Sequence, residues 1–317
     1  MNNDSAQDAV DNLLFDYTER RVARLRKRGL KFAHYTTADV AASILLKQSI
    51  WMRNAAYMND FREVAFGSEC LQASLRLYGA RFCQALNLDG KSLGHDVITQ
   101  MDGADFHHHH HTYLTCITEH RPTDDMGLLS MWRAYGGSTG VALIFNSDFL
   151  DIDSSPLAAW SSPVLYGDAA YLQEFASLVR RLEDNQDLLR SVDPEYLKRA
   201  VFNTLQFSIL STKHVGFREE REWRIIHQPR ETTSPWVPPS FEPIRGKPET
   251  VYHLPLANTG DLDRPELDLA RLLDRIIIGP SQYPYQLAST FSQILSSLRF
   301  ENPDRYIRVS LIPLRQT

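Results

Sequence analysis

The chain has 317 residues and a formal net charge of -5 at pH 7, with 34 Lys and Arg against 39 Asp and Glu. That length accommodates one large domain or two small ones with a continuous buried core. Acidic and basic residues are mixed along the chain rather than gathered in blocks, which argues against a protein that wraps duplex nucleic acid.

Cysteine usage and the first residues predict the compartment. Cys70, Cys83 and Cys116 form no CxxC pair, so we expect reduced thiols and neither a disulfide framework nor a zinc site. The opening MNNDSAQDAV is polar and acidic, unlike a signal peptide, and no apolar run is long enough to cross a bilayer. We therefore expect a cytoplasmic protein with no membrane partner.

Hydrophobic spacing predicts the first elements in chain order. Residues 4–29 carry apolar side chains at helical spacing and end at Gly29, which predicts an N-terminal helix within residues 1–30. The stretch KFAHYTT follows as a strand, and Thr37 is expected to cap the helix ADVAASILLKQ. SIWMRNAAYMND is typical of a strand and a loop, and residues 60–87 of a long amphipathic helix.

The second half continues to mix strands and helices. TYLTCIT and GVALIF are predicted strands, separated by a helix that ends at Tyr135 before two glycines. Residues 168–213 and 283–299 favour helices, and VYHLPL, RIIIGP and RYIRVSLIPLR favour strands, while the Pro-rich stretch 227–243 predicts a loop. Irregularly placed helices among many strands indicate a mixed α+β fold.

Five consecutive histidines, His107–His111, suggest metal binding at first sight, since imidazole is a good ligand for zinc, nickel or copper. Consecutive side chains on an extended chain point in opposite directions, however, whereas a catalytic site needs ligands that converge from separate elements. We favour an exposed loop over a metal site, and we assign no metal to the protein.

The stretch GFREEREWRIIH permits two interpretations. A helix would pair Glu220 with Arg224 on a solvated charged face. A strand would place Glu220, Glu222 and Arg224 on one face, so that the two carboxylates become neighbours. The charged half suits a helix and the Trp-Ile-Ile half suits a strand, so the residues alone leave both open.

Several segments, in order, resemble a widespread bacterial family of uncharacterised domains that distant similarity has placed among ADP-ribosyltransferase-like folds. They are FAHYTTADVAASILLKQSIWMRNAAYMND, MWRAYGGSTGVALIF, GFREEREWRII, RIIIGP and VSLIPLR. The resemblance implies one mixed α+β domain over residues 31–317, with a split, mostly antiparallel β core surrounded by helices.

The resemblance also implies an activity. NAD would be consumed as a substrate to modify a macromolecular acceptor, protein or nucleic acid, as in a toxin or an antiphage effector. Hydrolysis of NAD without an acceptor is a variant of the same chemistry. The alternative is a non-catalytic member of the fold that binds a nucleotide or nucleic acid as a sensor or interaction module.

Residue by residue, the resemblance assigns a site. His34 in HYT matches the histidine that holds NAD on the first strand, with Tyr35 and Thr36 beside it, and Glu222 or Glu220 matches the late catalytic glutamate. Further contacts with NAD are expected among a larger set: Trp51, Tyr57, Asn59, Asp60, Trp132, Tyr135 and Arg224. Trp132 and Tyr135 share a helical face and either pack in the core or stack on a ring, and Arg224 either forms a salt bridge or reaches a phosphate.

The chemistry explains why carboxylates are wanted. Cleavage of the nicotinamide–ribose bond builds positive charge on the sugar, and a fixed carboxylate that binds the ribose 2′-hydroxyl stabilises that charge. A second carboxylate nearby would have its pKa raised by the first and would suit a general base. We expect Glu220 and Glu222 to face one pocket with His34, across a gap of about 10 Å.

Overall fold

A computed structural model describes residues 3–57, 61–104, 111–147, 154–244, 246–258 and 262–313. The helices are α1 Asn3–Leu14, α2 Asp16–Lys27, α3 Ala38–Lys47, α4 Phe61–Ala85, α5 Leu93–Ala104, α6 Leu129–Tyr135, α7 Ser154–Leu157, α8 Asp168–Asp184, α9 Gln186–Arg190, α10 Pro194–Leu210, α11 Leu269–Leu272 and α12 Pro284–Ser297. The strands are β1 Lys31–Thr37, β2 Ser49–Asn54, β3 Asn87–Leu88, β4 Lys91–Ser92, β5 Tyr113–His120, β6 Thr139–Phe145, β7 Ala159–Pro163, β8 Leu165–Tyr166, β9 Thr212–Lys213, β10 Glu222–His227, β11 Pro239–Ile244, β12 Lys247–Pro255, β13 Leu273–Ser281 and β14 Ile307–Val309. Single-turn and short 3-10 helices cover Ala55–Tyr57, Val215–Glu220, Pro265–Leu267 and Pro303–Tyr306.

The chain divides into two compact units, each built from three segments. Unit 1 comprises Met1–Ala23, Ala55–His111 and Ser162–Arg218, and unit 2 comprises Arg24–Asn54, Thr112–Ser161 and Glu219–Thr317. Unit 1 is mostly helical, with short strand pairs β3–β4 and β8–β9, and unit 2 carries the large sheet. Both the mixed α+β class and the mostly antiparallel sheet predicted from the sequence are confirmed, whereas the likeness to ADP-ribosyltransferases stays a prediction.

Unit 1 is held together by the apolar faces of its long helices. Phe82, Val179 and Val201, from α4, α8 and α10, are fully buried in one cluster. The helix expected over 60–87 is confirmed as α4, but the predicted helix over 168–213 is three helices. The last of them starts at Pro194 because the Asp193 carboxylate accepts a hydrogen bond of 3.0 Å from the amide of Tyr196 and caps its first turn.

The large sheet of unit 2 follows the order β11-β12-β2-β5-β1-β6-β13-β14, with β10 also paired to β5. Along this order and between β10 and β5, paired strands are antiparallel, except for β13 and β14, which are parallel. The central strands read as nearly continuous apolar runs, such as the fully buried stretch from Val141 to Phe145 in β6, because both of their faces are covered.

Strands β1 and β2 leave the same edge of β5, so the sheet forks. Strand β1 pairs with β5 through Ala33 and Thr118, and β2 pairs with it through Arg53 and Leu114. The opposite edge of β5 is occupied by β10 over the whole length of that strand. The fork therefore opens beside Cys116, between the two pairings.

Three local expectations need correction. Thr37 precedes α3, but its hydroxyl bonds the Asp39 carboxylate and no backbone amide of the helix. The Pro-rich stretch 227–243 was expected to be a loop, yet Pro239 begins the edge strand β11, a position that tolerates proline because one side of the strand has no partner. The predicted N-terminal helix is two helices, α1 and α2.

Among the described residues, no helix combines the length and the apolar character that crossing a membrane demands.

Candidate functional site

The acidic stretch changes conformation between its two glutamates. Glu220 ends the 3-10 helix that begins at Val215, whereas Glu222 begins β10. Arg221, between them, has a φ of 45°, in the left-handed region that breaks both helix and strand. The expectation that Glu220 and Glu222 share one strand face is therefore wrong, although the strand interpretation holds from Glu222 onward.

The register across β5 assigns the predicted residues to two faces of the sheet. Directly paired residues of antiparallel strands project to the same side, and successive residues alternate. Thr118 pairs with both Ala33 and Glu222, which defines one side, here called the glutamate face: Ala33, Tyr35, Cys116, Thr118, Glu222 and Arg224. The other side, the histidine face, carries Phe32, His34, Glu119 and Trp223.

Contacts on the histidine face agree with this assignment. The rings of Phe32 and Trp223 meet edge to face, with centroids 5.7 Å apart, and the Trp223 indole N–H donates to the Glu119 carboxylate at 3.1 Å. The pleat therefore separates His34 from Glu222, and the expectation that the two line one cleft is not met.

Glu222 forms a buried ion pair with Arg224 on the glutamate face. The Arg224 Nε donates to Glu222 Oε1 at 2.7 Å, and the two side chains are 2% and 4% exposed respectively. The two residues stand two positions apart, and therefore on the same side of β10, so the strand itself holds the pair in place. Of the two roles considered for Arg224, the ion pair is the one seen, and it offsets part of the cost of burying the carboxylate.

His34 lies at the fork and bonds the backbone of β5. Its Nδ1 is 3.0 Å from the carbonyl oxygen of Cys116, and only a protonated Nδ1 can donate to a carbonyl. Because the amide of Glu119 bonds toward β10, the alternation along β5 directs the Cys116 carbonyl to the fork. Burial lowers the pKa of His34, against a raising effect of the Cys116 bond, so the imidazole is neutral at pH 7.

Tyr35 and Trp132 pack together on the glutamate face. Their rings meet edge to face with centroids 4.8 Å apart, and Trp132 is 2% exposed, with Tyr135 packed at the border of the same cluster. The Tyr35 hydroxyl accepts a hydrogen bond of 2.9 Å from the amide of Leu128, and burial raises the pKa of Tyr35 to about 12. These contacts are those of a core, the first of the two roles considered for Trp132 and Tyr135.

The remaining predicted residues are scattered. Thr36 belongs to β1 and points to the same side as His34, whereas Trp51, in β2, is half-buried on the glutamate face with the Lys47 ammonium 5.5 Å from its ring centroid. Tyr57 ends a 3-10 turn of unit 1 and is 51% exposed. Asn59 and Asp60 lie outside the described residues.

A second ion pair on the glutamate face was missed from the sequence. Arg53 donates to both carboxylate oxygens of Glu249 at 2.8–3.0 Å, and Glu249 is 5% exposed. The pair joins β2 to β12 across 196 positions of sequence. The sequence near Arg53 does not indicate that Glu249 is its partner, because the register between distant strands depends on the whole sheet.

Metal binding finds no support in the part of the chain that the structure describes. There, no group of three or more His, Cys, Asp or Glu side chains is placed to hold an ion. Of the histidine run, His107–His110 lie outside the described residues, and His111 directly precedes the segment that leads into β5.

Comparison with known proteins yields one family. Residues 131–225 match the model of a family described as a protein of unknown function, DUF2971. The matched stretch contains Trp132, Glu222 and Arg224, and it supports the expected relation to a family of uncharacterised domains. No significant match was found among curated proteins or among solved structures.

Proposed function

We propose that unit 2 binds NAD on the glutamate face and transfers its ADP-ribose to a macromolecular acceptor, with Glu222 as the carboxylate that stabilises the reacting sugar. The observation that carries this proposal is the Glu222–Arg224 pair, 2.7 Å apart and nearly fully buried, on β10, the strand that pairs with the edge of β5 opposite the fork. Burying charged side chains costs free energy, and a buried ion pair adds little net stability, so the presence of this pair favours a chemical role.

The reaction asks little more of the protein than a positioned charge. As the bond from ribose to nicotinamide breaks, positive charge develops on the sugar, and an ionised carboxylate at the 2′-hydroxyl stabilises it most when the charge is greatest. In this scheme Arg224 keeps the Glu222 carboxylate oriented. Glu220 takes no part as a second strand carboxylate, because Arg221 turns the chain between them.

Other residues receive supporting roles in the proposal. Trp51, half-buried on the same face, is the aromatic ring assigned to stack on a base of the dinucleotide. His34 is assigned to positioning, since its ring holds the Cys116 carbonyl at the fork and lies on the opposite face. Tyr35 and Trp132 keep a packing role, since their rings meet edge to face in the core on this face.

One observation favours a second candidate, a module that binds a nucleotide without turning it over. Glu222 is 4% exposed, and one of its oxygens already bonds Arg224. A carboxylate in that state must release part of its pairing before a ribose hydroxyl can reach it. Binding in calorimetry with no release of nicotinamide identifies this alternative.

The test uses the full chain, NAD and a bacterial lysate as the source of acceptors. Nicotinamide release is followed by chromatography, ADP-ribose adducts by mass spectrometry, and free ADP-ribose reports hydrolysis without an acceptor. We expect Glu222→Gln to lower nicotinamide release at least about 100-fold, as expected when an electrostatic contact made in the transition state is lost. Glu249→Gln is the matched control, because it also breaks an ion pair between arginine and a buried glutamate, although Arg53 is 33% exposed.

The control separates chemistry from folding. If Glu249→Gln retains turnover while Glu222→Gln loses it, and both melt cooperatively, the loss belongs to the site. Full turnover in Glu222→Gln would remove Glu222 from the reaction. Absence of both NAD binding and turnover in the wild-type chain would refute the proposal altogether.

A further inference from the structure

A chain of four polar side chains crosses the edge of the sheet in unit 2. The Ser49 hydroxyl lies 3.2 Å from Nδ1 of His253, and Nε2 of the same ring lies 2.8 Å from the Ser240 hydroxyl. Ser240 in turn donates to the Glu242 carboxylate at 3.1 Å. The residues come from β2, β12 and β11, and all four are half-buried.

The carboxylate sets the direction of the protons along this chain. The Glu242 carboxylate accepts from Ser240, so the Ser240 hydroxyl hydrogen points to it, and Ser240 then accepts from a protonated Nε2. Nδ1 is left as the acceptor for the hydroxyl hydrogen of Ser49. Burial lowers the pKa of His253, Glu242 raises it and Lys47 lowers it, so the ring is neutral at pH 7 and able to take a proton.

The surroundings of Ser49 suit an incoming electrophile. Trp51 meets His253 edge to face, with ring centroids 6.4 Å apart, and forms an apolar wall on the same side of the sheet. The Lys47 ammonium lies over that indole ring, 5.5 Å from its centroid. A cation in this position can stabilise an oxyanion that develops next to Ser49.

We propose that Ser49 is a nucleophile and His253 its general base, forming a site that hydrolyses small carboxylic esters. Ser49 is then the nucleophile and His253 the base, and Ser240 connects His253 to Glu242, the acid that orients it. This inference goes beyond the proposed reaction of NAD and does not depend on it.

The reaction balances within the chain, the ester and water. Ser49 Oγ attacks the ester carbonyl carbon, its proton passes to His253 Nδ1, and the carbonyl electron pair moves to the oxygen. Collapse of the tetrahedral intermediate breaks the bond to the leaving alcohol, which takes the proton from Nδ1. Water then attacks the acyl group by the same route, which releases a carboxylic acid and restores the Ser49 hydroxyl.

The experiment treats the full chain with a fluorophosphonate, from which an activated serine displaces fluoride. Peptide mapping by mass spectrometry is expected to place the adduct on Ser49. The labelling rate should fall by about 100-fold or more in His253→Asn, which removes the base, and labelling should vanish in Ser49→Ala. Ser234→Ala is the matched control, because Ser234 is half-buried and its hydroxyl donates to the Pro156 carbonyl and no imidazole.

A purely structural role for these hydroxyls gives a different result. Ser49→Ala would then lower the melting temperature while wild-type Ser49 stays unlabelled. An unlabelled wild-type Ser49, an adduct on other serines alone, or equal labelling in His253→Asn overturns the proposal. Mapping the adduct on the wild-type chain decides the question even if a variant fails to fold, and hydrolysis of p-nitrophenyl acetate with the same dependence on Ser49 supports it.

Discussion

Replacement of Arg224 by methionine tests whether the ion pair is as buried as the geometry indicates. The substitution keeps most of the side-chain volume but leaves the Glu222 carboxylate without the guanidinium that lies 2.7 Å from it. Removing one partner of a buried pair costs about 3–5 kcal/mol, against about 0–1 kcal/mol for a pair in solvent. Exposures of 2% and 4% place this pair in the buried class. For a unit in the range of 150–250 residues the loss corresponds to a fall of about 6–20 °C in melting temperature.

The assay is urea unfolding at pH 7 together with scanning calorimetry. Arg53→Met is the comparison, since it breaks a similar pair in which the arginine side chain is 33% exposed, and we expect a smaller loss of about 1–3 kcal/mol. The double variant Glu222→Gln with Arg224→Met should recover much of the stability, because no charge is then left unpaired. A loss below about 1 kcal/mol in Arg224→Met would refute the reasoning and mean that water reaches the pair.

Two further predictions concern packing and pH. Gly279→Ala should lower the free energy of unfolding by about 1–3 kcal/mol through overpacking. The added Cβ would lie 2.8 Å from ring atoms of Trp132 and 3.0 Å from the Gly140 carbonyl oxygen. Urea titration measures the loss, and an unchanged midpoint would show that the Trp132 ring can move away. Burial lowers the pKa of His227 below its ordinary 6.5, against the raising effect of its bond to the Ala158 carbonyl. The stability that depends on neutral His227 is therefore present above its ordinary pKa of 6.5 and declines as the pH falls below it. His227→Gln should flatten the loss of unfolding free energy as the pH falls below 6.5. An unchanged slope would assign that loss to other groups.

Short-range patterns sufficed for most of the elements. Helix α4 and strands β5, β6 and β13 lie where spacing and β-branched composition put them, because those patterns report which side chains must be buried together. Element ends were less readable. Asp193 and Pro194 divide the helical stretch 168–213, and Pro239 opens an edge strand inside a stretch that reads as loop.

The sequence predicted only part of the candidate site. The sequence singled out Glu222 and Arg224 together, and the strand does hold them as a pair. It also joined Glu220 and His34 to them, and there it was wrong. Local composition gave no sign of the left-handed turn at Arg221, which removes Glu220 from the strand.

The residues by themselves determined the mixed α+β class and the main apolar strands, and they singled out Glu222 and Arg224 while leaving helix and strand both open. Only the tertiary structure decided which face of the sheet each polar side chain occupies. It placed His34 on the face opposite Glu222, and it placed Arg53 and Glu249 on the same face as Glu222. The physical reason is that side chains alternate along a strand, so the face is set by the pairing register between strands far apart in sequence. The chain of polar side chains from Ser49 through His253 to Glu242 also depends on the register, because its residues lie close together only when β2, β12 and β11 are paired.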